Sequence, residues 1–417
     1  MLRLCLLFAL IAGACAGTSA AARASLPYVD RRVTAIPAQT IATSDPRLLV
    51  DARRQQIGTT LERYFEPLYF LWAGSQIVAL FFFWRLGGAA RMRDALRRRI
   101  ANVTLLRFAY GVGLTGFGTL AAAPTSFARY RLANYYDLAH QSLGSWLSAS
   151  LANFALDALG VGIVTAIVFA LVDRTRLWWA ISIGVLFLAT LGINYLDPVA
   201  IAPLFDRMGP ISPHSAAGRR IDTLERRAHL QNVPDFRVSI SRRTGIVQGR
   251  ADGFLNTKRI VIADTALAAL TDGELDVLVA NALGHYVVGD GLKKALLGTL
   301  LFIVCIALGV MLADRAGFRR DDDQLARLAL VGAFVGIAGL IALPGYHYVE
   351  RRLGTAADAY ALRLTGDRVA AIRLYVRVAD ESLEPLCPGR IQRWYFAQQP
   401  PPAERIAQAA GRPDRCR

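Results

Sequence analysis

The residue types that could do chemistry are concentrated between Thr271 and Asp290, a stretch that reads as one helix. Thr271 with Glu274 three residues on forms a capping box. Leu275, Leu278, Val279, Ala282, Leu283 and Tyr286 recur at helical spacing. At the centre lies Asn281-Ala282-Leu283-Gly284-His285. Two histidines four residues apart on such a helix, with a glutamate directly after the first, would hold a zinc ion and supply a general base to its water. Here only the second histidine position is filled. A catalytic zinc ion needs about three protein donors and an open position for water. Asn281 offers a poor amide oxygen, Ala282 removes the base, and His285 alone cannot hold the metal.

The elements that must position this helix are mostly membrane spans. The chain has 417 residues, of which 54% are hydrophobic, and several apolar runs reach the roughly 20 residues needed to cross a bilayer. Spans are read at 67–86, 104–123, 151–172, 177–196, 295–313 and 325–344. Residues 1–24 read as a secretory signal, with Arg3, an apolar stretch from Leu4 to Ala14 and an Ala22-Arg23-Ala24 cleavage site; an uncleaved first membrane helix is the alternative. Residues 25–66 form an extracytoplasmic segment ending in a short amphipathic helix at 48–65, and 67–196 carry four spans, the second ending at Pro124 before a polar connection at 125–150. Residues 197–294 form a soluble α+β domain with a helix at 220–230, strands at 236–240 and 259–263, and the helix described above. A membrane hairpin, 295–345, and a C-terminal helical part, 346–417, complete the chain.

The formal net charge is +16. Arginine supplies nearly all of the positive charge, since lysine occurs only at Lys258, Lys293 and Lys294. No basic helix or zinc knuckle stands apart from the spans, so the charge points to the lipid bilayer and excludes nucleic acid as a partner. The arginine-bearing connections 87–103, 173–176 and 314–324 fall on one side of the membrane. The soluble parts fall on the other, the side to which the signal sends residue 25. In a bacterium this is an inner-membrane protein with a periplasmic domain. The spans are nearly free of ionisable residues, which argues against a transporter or channel. Of the five cysteines, Cys387 and Cys416 share the C-terminal part; they pair if it faces an oxidising compartment and otherwise remain separate thiols.

Five collinear stretches carry a family likeness: Gln141 to Leu147; Asp197-Pro198 with Ala202 to Pro210; Ser241 to Thr244 running on to Thr257 through Thr265; the helix 271–290; and Arg351 through Ala361, followed by Pro400-Pro401 and Glu404-Arg405-Ile406. In order and spacing they resemble the integral-membrane zinc metallopeptidases of the CAAX prenyl protease 1 type over roughly 125–410. The resemblance implies a mainly α polytopic membrane protein, with about six transmembrane helices after a signal peptide and a small α+β metallopeptidase-like soluble domain.

The departures fall at the positions that the resemblance assigns to chemistry. The family's His-Glu-x-x-His becomes Asn281, Ala282 and His285. Its third zinc ligand, a glutamate four residues before a retained aspartate, becomes Gly354 before Asp358. Its substrate-aligning Asn-Ala pair aligns with Gln248-Gly249. The histidine before a proline becomes Gln399, while Arg405 and Ile406 are kept. Asp358 and Arg405 are therefore retained supporting residues around a lost metal site. These changes imply a catalytically inactive homologue that needs no cofactor and binds a peptide or a membrane-protein partner. The alternative is an active zinc endopeptidase with non-standard ligands, for which Glu350, one turn before Gly354, is the substitute, with Asp290 and His347 also near.

Overall fold

The computed structural model describes residues 32–230, 233–316, 324–414 and 416; the signal lies outside the described residues. Six described helices are long and apolar enough to span a bilayer. They are α1 (Ala52–Arg85), α3 (Val103–Tyr135), α4 (Leu143–Arg174), α5 (Trp178–Leu196, prolonged by turns to Phe205), α8 (Asp290–Arg315) and α9 (Gln324–Thr365). A short helix, α2 (Gly88–Arg97), lies between the first two.

Three of these helices run through prolines expected to end or separate elements. Pro67 lies inside α1, joining the amphipathic segment to the first span; Pro124 lies inside α3; Pro344 lies inside α9 and joins the sixth span to the helix that follows. A proline removes one backbone hydrogen bond, but a helix packed on both sides of it continues. The consequence for the site is direct. At 1.5 Å per residue, the 42 residues of α9 extend about 63 Å, twice the hydrocarbon thickness. Its second half therefore leaves the bundle and carries Glu350, Gly354 and Asp358 into the soluble part.

The spans pack pairwise in the order α1, α3, α4, α5, α8, α9 and back to α1. A ring of six helices at about 8–10 Å axial separation cannot fill its own centre. Close approach within the ring uses glycine: a side chain at Gly111 would sit 3.0 Å from the Gly162 backbone. At one end the ring is closed by Ala89 of α2, Tyr110 and Leu114 of α3 and Ala326 and Ala329 of α9, buried in one cluster.

At the other end sits the soluble part. Strands β1 (Met208–Pro210), β2 (Asp235–Val238), β3 (Gly249–Asp252) and β4 (Arg259–Ala263) form a sheet in the order β1-β2-β4-β3, with β2 and β4 parallel and the outer pairs antiparallel. The sequence reading found β2 and β4 through their β-branched residues. It missed the edge strands Met-Gly-Pro and Gly-Arg-Ala-Asp, which lack them. Helices α6 (Ala216–Arg227), α7 (Asp272–Val288), α10 (Arg368–Glu381) and α11 (Pro402–Ala410) complete the domain. Ile221, Ile260, Ile262, Leu283, Ile372 and Ile406 share its core with Val33, Ile41 and Leu49 from the N-terminal segment.

Candidate functional site

Helix α7 starts at the expected capping box: the Thr271 N–H donates to Glu274 Oε2 at 2.8 Å. It ends at Gly289, whose φ of 68° is the left-handed conformation that favours glycine. Glu274 also meets Arg377 of α10 at 3.2 Å, with both side chains buried. The helix is buried on every face, from Val277 to Leu283, so its polar residues must find partners within the protein.

Asn281 finds Asp358: its Nδ2 donates to Asp358 Oδ1 at 2.7 Å. The same carboxylate accepts from Tyr375 Oη at 2.9 Å and from Arg405 Nε and Nη2 at 2.8 and 2.6 Å. The Arg405 guanidinium also lies 4.1 Å from the Tyr375 ring centroid. Burial by itself would lower the Arg405 pKa, but the Asp358 charge outweighs it and holds the proton more firmly than usual. Burial, then the Asp358 charge, push the Tyr375 hydroxyl up, so it stays a donor. The sequence reading identified Asp358 and Arg405 and missed Tyr375; its tyrosine on a helix face carries no signal separate from core packing.

One turn along α7, His285 Nδ1 lies 2.5 Å from Asp290 Oδ2, and Lys294 Nζ lies 3.5 Å from the same oxygen. The carboxylate accepts, so Nδ1 carries the proton. Asp290, one of the candidate substitute ligands, is thus engaged with the imidazole. Glu350 stands beside His347, with 4.0 Å between Oε2 and Nε2, and that oxygen is buried without a hydrogen-bond partner. His347 Nδ1 itself is 2.7 Å from the Tyr395 carbonyl.

Gly354, where the sequence resemblance expects a third ligand, lies against a filled space. A Cβ at Gly354 would fall 2.7 Å from Gln399 Oε1 and 2.9 Å from Pro400 Cδ. Arg351, one turn earlier, donates to the Ala397 carbonyl at 2.5 Å and pins that loop. Gln399 therefore fills the notch that Gly354 leaves. On the far side of α7, a Cβ at Gly249 would meet the Leu278 side chain at 2.9 Å, and the Gln248 carbonyl accepts from Ala263 N–H at 3.0 Å. Absence of a side chain at 249 lets the edge strand β3 lie against the helix. Gly284 does the same for α9, since a Cβ there would sit 2.8 Å from the Ala357 carbonyl oxygen.

A zinc ion does not fit these residues. Asn281 has turned its amide to Asp358, Ala282 and Gly354 offer no donor, and His285 is one ligand. Among the described residues no group of three His, Cys, Asp or Glu side chains stands ready to hold a metal.

A ring of membrane helices feeding one long helix into a small mixed sheet, against a buried helix with an interrupted two-histidine motif, is the framework of an integral-membrane metallopeptidase. The sequence model for the CAAX prenyl protease N-terminal region, with five membrane helices, matches residues 67–207, and that for peptidase family M48 matches residues 215–412. An uncharacterized metalloprotease of Bacillus subtilis, YhfN, is 23% identical over 349 residues, covering 79% of each chain. A CAAX prenyl protease 1 homolog of Arabidopsis thaliana is 23% identical over 333 residues, 78% of this chain and 77% of the relative. The crystal structure of S. mikatae Ste24p superposes with a TM-score of 0.74 at 16% identity, covering 91% of this chain and 94% of that one. The chain belongs to peptidase family M48, with a membrane region of the CAAX prenyl protease type.

Proposed function

We propose that this M48 protein is catalytically inactive and uses its scaffold to bind a peptide or a membrane-protein partner, with no metal required. The observation that carries the reading is the mutual satisfaction of the substituted positions. Asn281 bonds to Asp358, and Gln399 occupies the space beside Gly354. Metal activation of water and general-base transfer both lack their residues. The edge strand β3 is a place where a chain segment could be held. Purified protein is expected to contain negligible zinc by elemental analysis and to leave a panel of peptides uncut. Stoichiometric zinc that disappears in His285→Ala would overturn the reading.

A second reading, an active endopeptidase with unusual ligands, is favoured by one feature, the buried unpartnered Oε2 of Glu350. It requires measurable peptidase activity in the wild type that Glu350→Ala abolishes.

We also propose that the domain faces the periplasm of a bacterial inner membrane. In support, Cys387 and Cys416 form a disulfide with Cα atoms 5.4 Å apart, a bond that persists in oxidising compartments. The arginine-bearing connections 87–103 and 173–176 lie at the opposite end of the bundle.

A further inference from the structure

We infer that the end of the bundle opposite the soluble domain is a binding surface for acidic glycerophospholipid headgroups, independent of whether the M48 site is active. Two connections meet there, beside the described ends of α8 and α9. Gly87, at φ 71°, turns the chain out of α1. Helix α2 then docks by Ala89, Met92 and Leu96 against the cluster formed by α3 and α9. The α4–α5 connection joins it through the ion pair of Asp173 with Arg107, at 2.6 Å.

Because α2 commits its apolar face to the bundle, its charged face points away. Arg91, Arg97, Arg98 and Arg99 are exposed, as are Arg174 and Arg176 on the neighbouring connection. The described acids of this end already have arginine partners: Asp94 with Arg93 at 2.7 Å, Asp173 with Arg107, and Asp314 with Arg327. None of the six exposed arginines meets a carboxylate among the described residues. The stretch from α8 to α9, 314–327, balances itself in sequence, with four arginines against four aspartates. Among the described residues the uncompensated charge lies on 85–107 and 173–176.

Apolar side chains stand between these arginines. Leu86, Leu177 and Trp179 are 70%, 60% and 55% exposed. Cationic forks interleaved with apolar and indole groups, at the ends of spanning helices, match the depth of a lipid headgroup with acyl chain beneath it. A guanidinium pairs bidentately with a phosphodiester. A nucleic acid or a soluble acidic protein would use the charge and leave Leu86, Leu177 and Trp179 without cover.

The full chain in detergent micelles, titrated with phosphatidylglycerol or phosphatidylcholine and read by native mass spectrometry, tests this. Each arginine near an anionic surface biases binding about fivefold at low salt. Phosphatidylglycerol is expected to be retained at least about tenfold better than phosphatidylcholine, with the preference falling in 0.5 M salt as exposed charges are screened. The combined change Arg97→Gln, Arg98→Gln, Arg99→Gln, Arg174→Gln and Arg176→Gln should reduce the preference by more than about tenfold. Because removing these charges can disturb insertion, the same positions changed to Lys keep the topology signal and should retain a weakened preference. Equal retention of the two lipids by the wild type, displacement of phosphatidylglycerol by millimolar inorganic phosphate, or tighter binding of duplex DNA than of the lipid would each overturn the assignment.

Discussion

The two ends of the Asn281–His285 turn of α7 have been handled differently. Asn281 belongs to a closed network. Asp358 accepts from Asn281, Tyr375 and both nitrogens of the Arg405 fork. At His285 the imidazole survives, tied to Asp290 and Lys294, next to a region where Glu350 Oε2 is buried without a partner. At the first end Asn281 is fully engaged in hydrogen bonds that stabilise the fold. The second end keeps acid–base groups that the fold does not fully mate. Stability should therefore reside at Asn281–Asp358–Arg405, and any residual chemistry near His285 and Glu350.

The largest test of that contrast is Asp358→Ala. It removes the carboxylate that is hydrogen-bonded to the Arg405 guanidinium and leaves only the more distant Glu384 charge, a type of change that costs about 3–5 kcal/mol. Denaturant unfolding in detergent, followed at the soluble domain, should show a loss of that size. His285→Ala, whose partner Asp290 keeps Lys294, should cost less than half as much. Equal losses at the two ends would break the distinction.

Next in size is Gly354→Glu, which puts a carboxylate at the position where the sequence resemblance expects a third ligand. Its Cβ meets Gln399 Oε1 and Pro400 Cδ, so overpacking should destabilise by about 1–3 kcal/mol. Trimming the obstruction with Gln399→Ala should recover at least half of that loss. The double-mutant cycle would then give a coupling of about 1 kcal/mol. An additive cycle would mean that the notch is not held by Gln399.

Much of this could be read from residue types. The spans follow from apolar run length, the capping box and the 285 imidazole follow from motif spacing, and the family resemblance singled out Asp358 and Arg405, though not their pairing. What was not legible came from partners distant in sequence. The continuity of α1, α3 and α9 through Pro67, Pro124 and Pro344 depends on helices packed beside them. Strand β3 forms because β4 pairs with it and Gly249 clears Leu278, not because Gly-Arg-Ala-Asp favours a strand. The filling of the Gly354 notch by Gln399 joins residues 45 apart, which no local pattern encodes. The alternative left open for Cys387 and Cys416 is resolved as a pair for the same reason: only the fold brings the tail to the loop.

The smallest effect concerns a buried carboxyl pair that lacks what Asp358 has. Glu225 of α6 and Asp235 of β2 each hold a buried side-chain oxygen with no hydrogen-bond partner. Burial first, then the Asp235 and Asp222 charges, push Glu225 from its ordinary value near 4.5 to about 8; burial and Asp222 push Asp235 from 3.8 to about 6. The sign follows from linkage. Below pH 4.5 Glu225 is protonated in both folded and unfolded chains and costs nothing. As pH rises toward 8 the unfolded chain ionises freely while the folded one resists, so the group lowers stability progressively through that window. Glu225→Gln removes the charge and gives Asp235 an amide donor. It should leave stability at pH 4.5 unchanged and raise it at pH 8 by on the order of 1 kcal/mol, the opposite sign to Asp358→Ala in the same domain. Loss of stability at pH 8 would mean that burial of a carboxylate here is compensated, and that mated and unmated carboxyls do not differ in the way the α7 contrast requires.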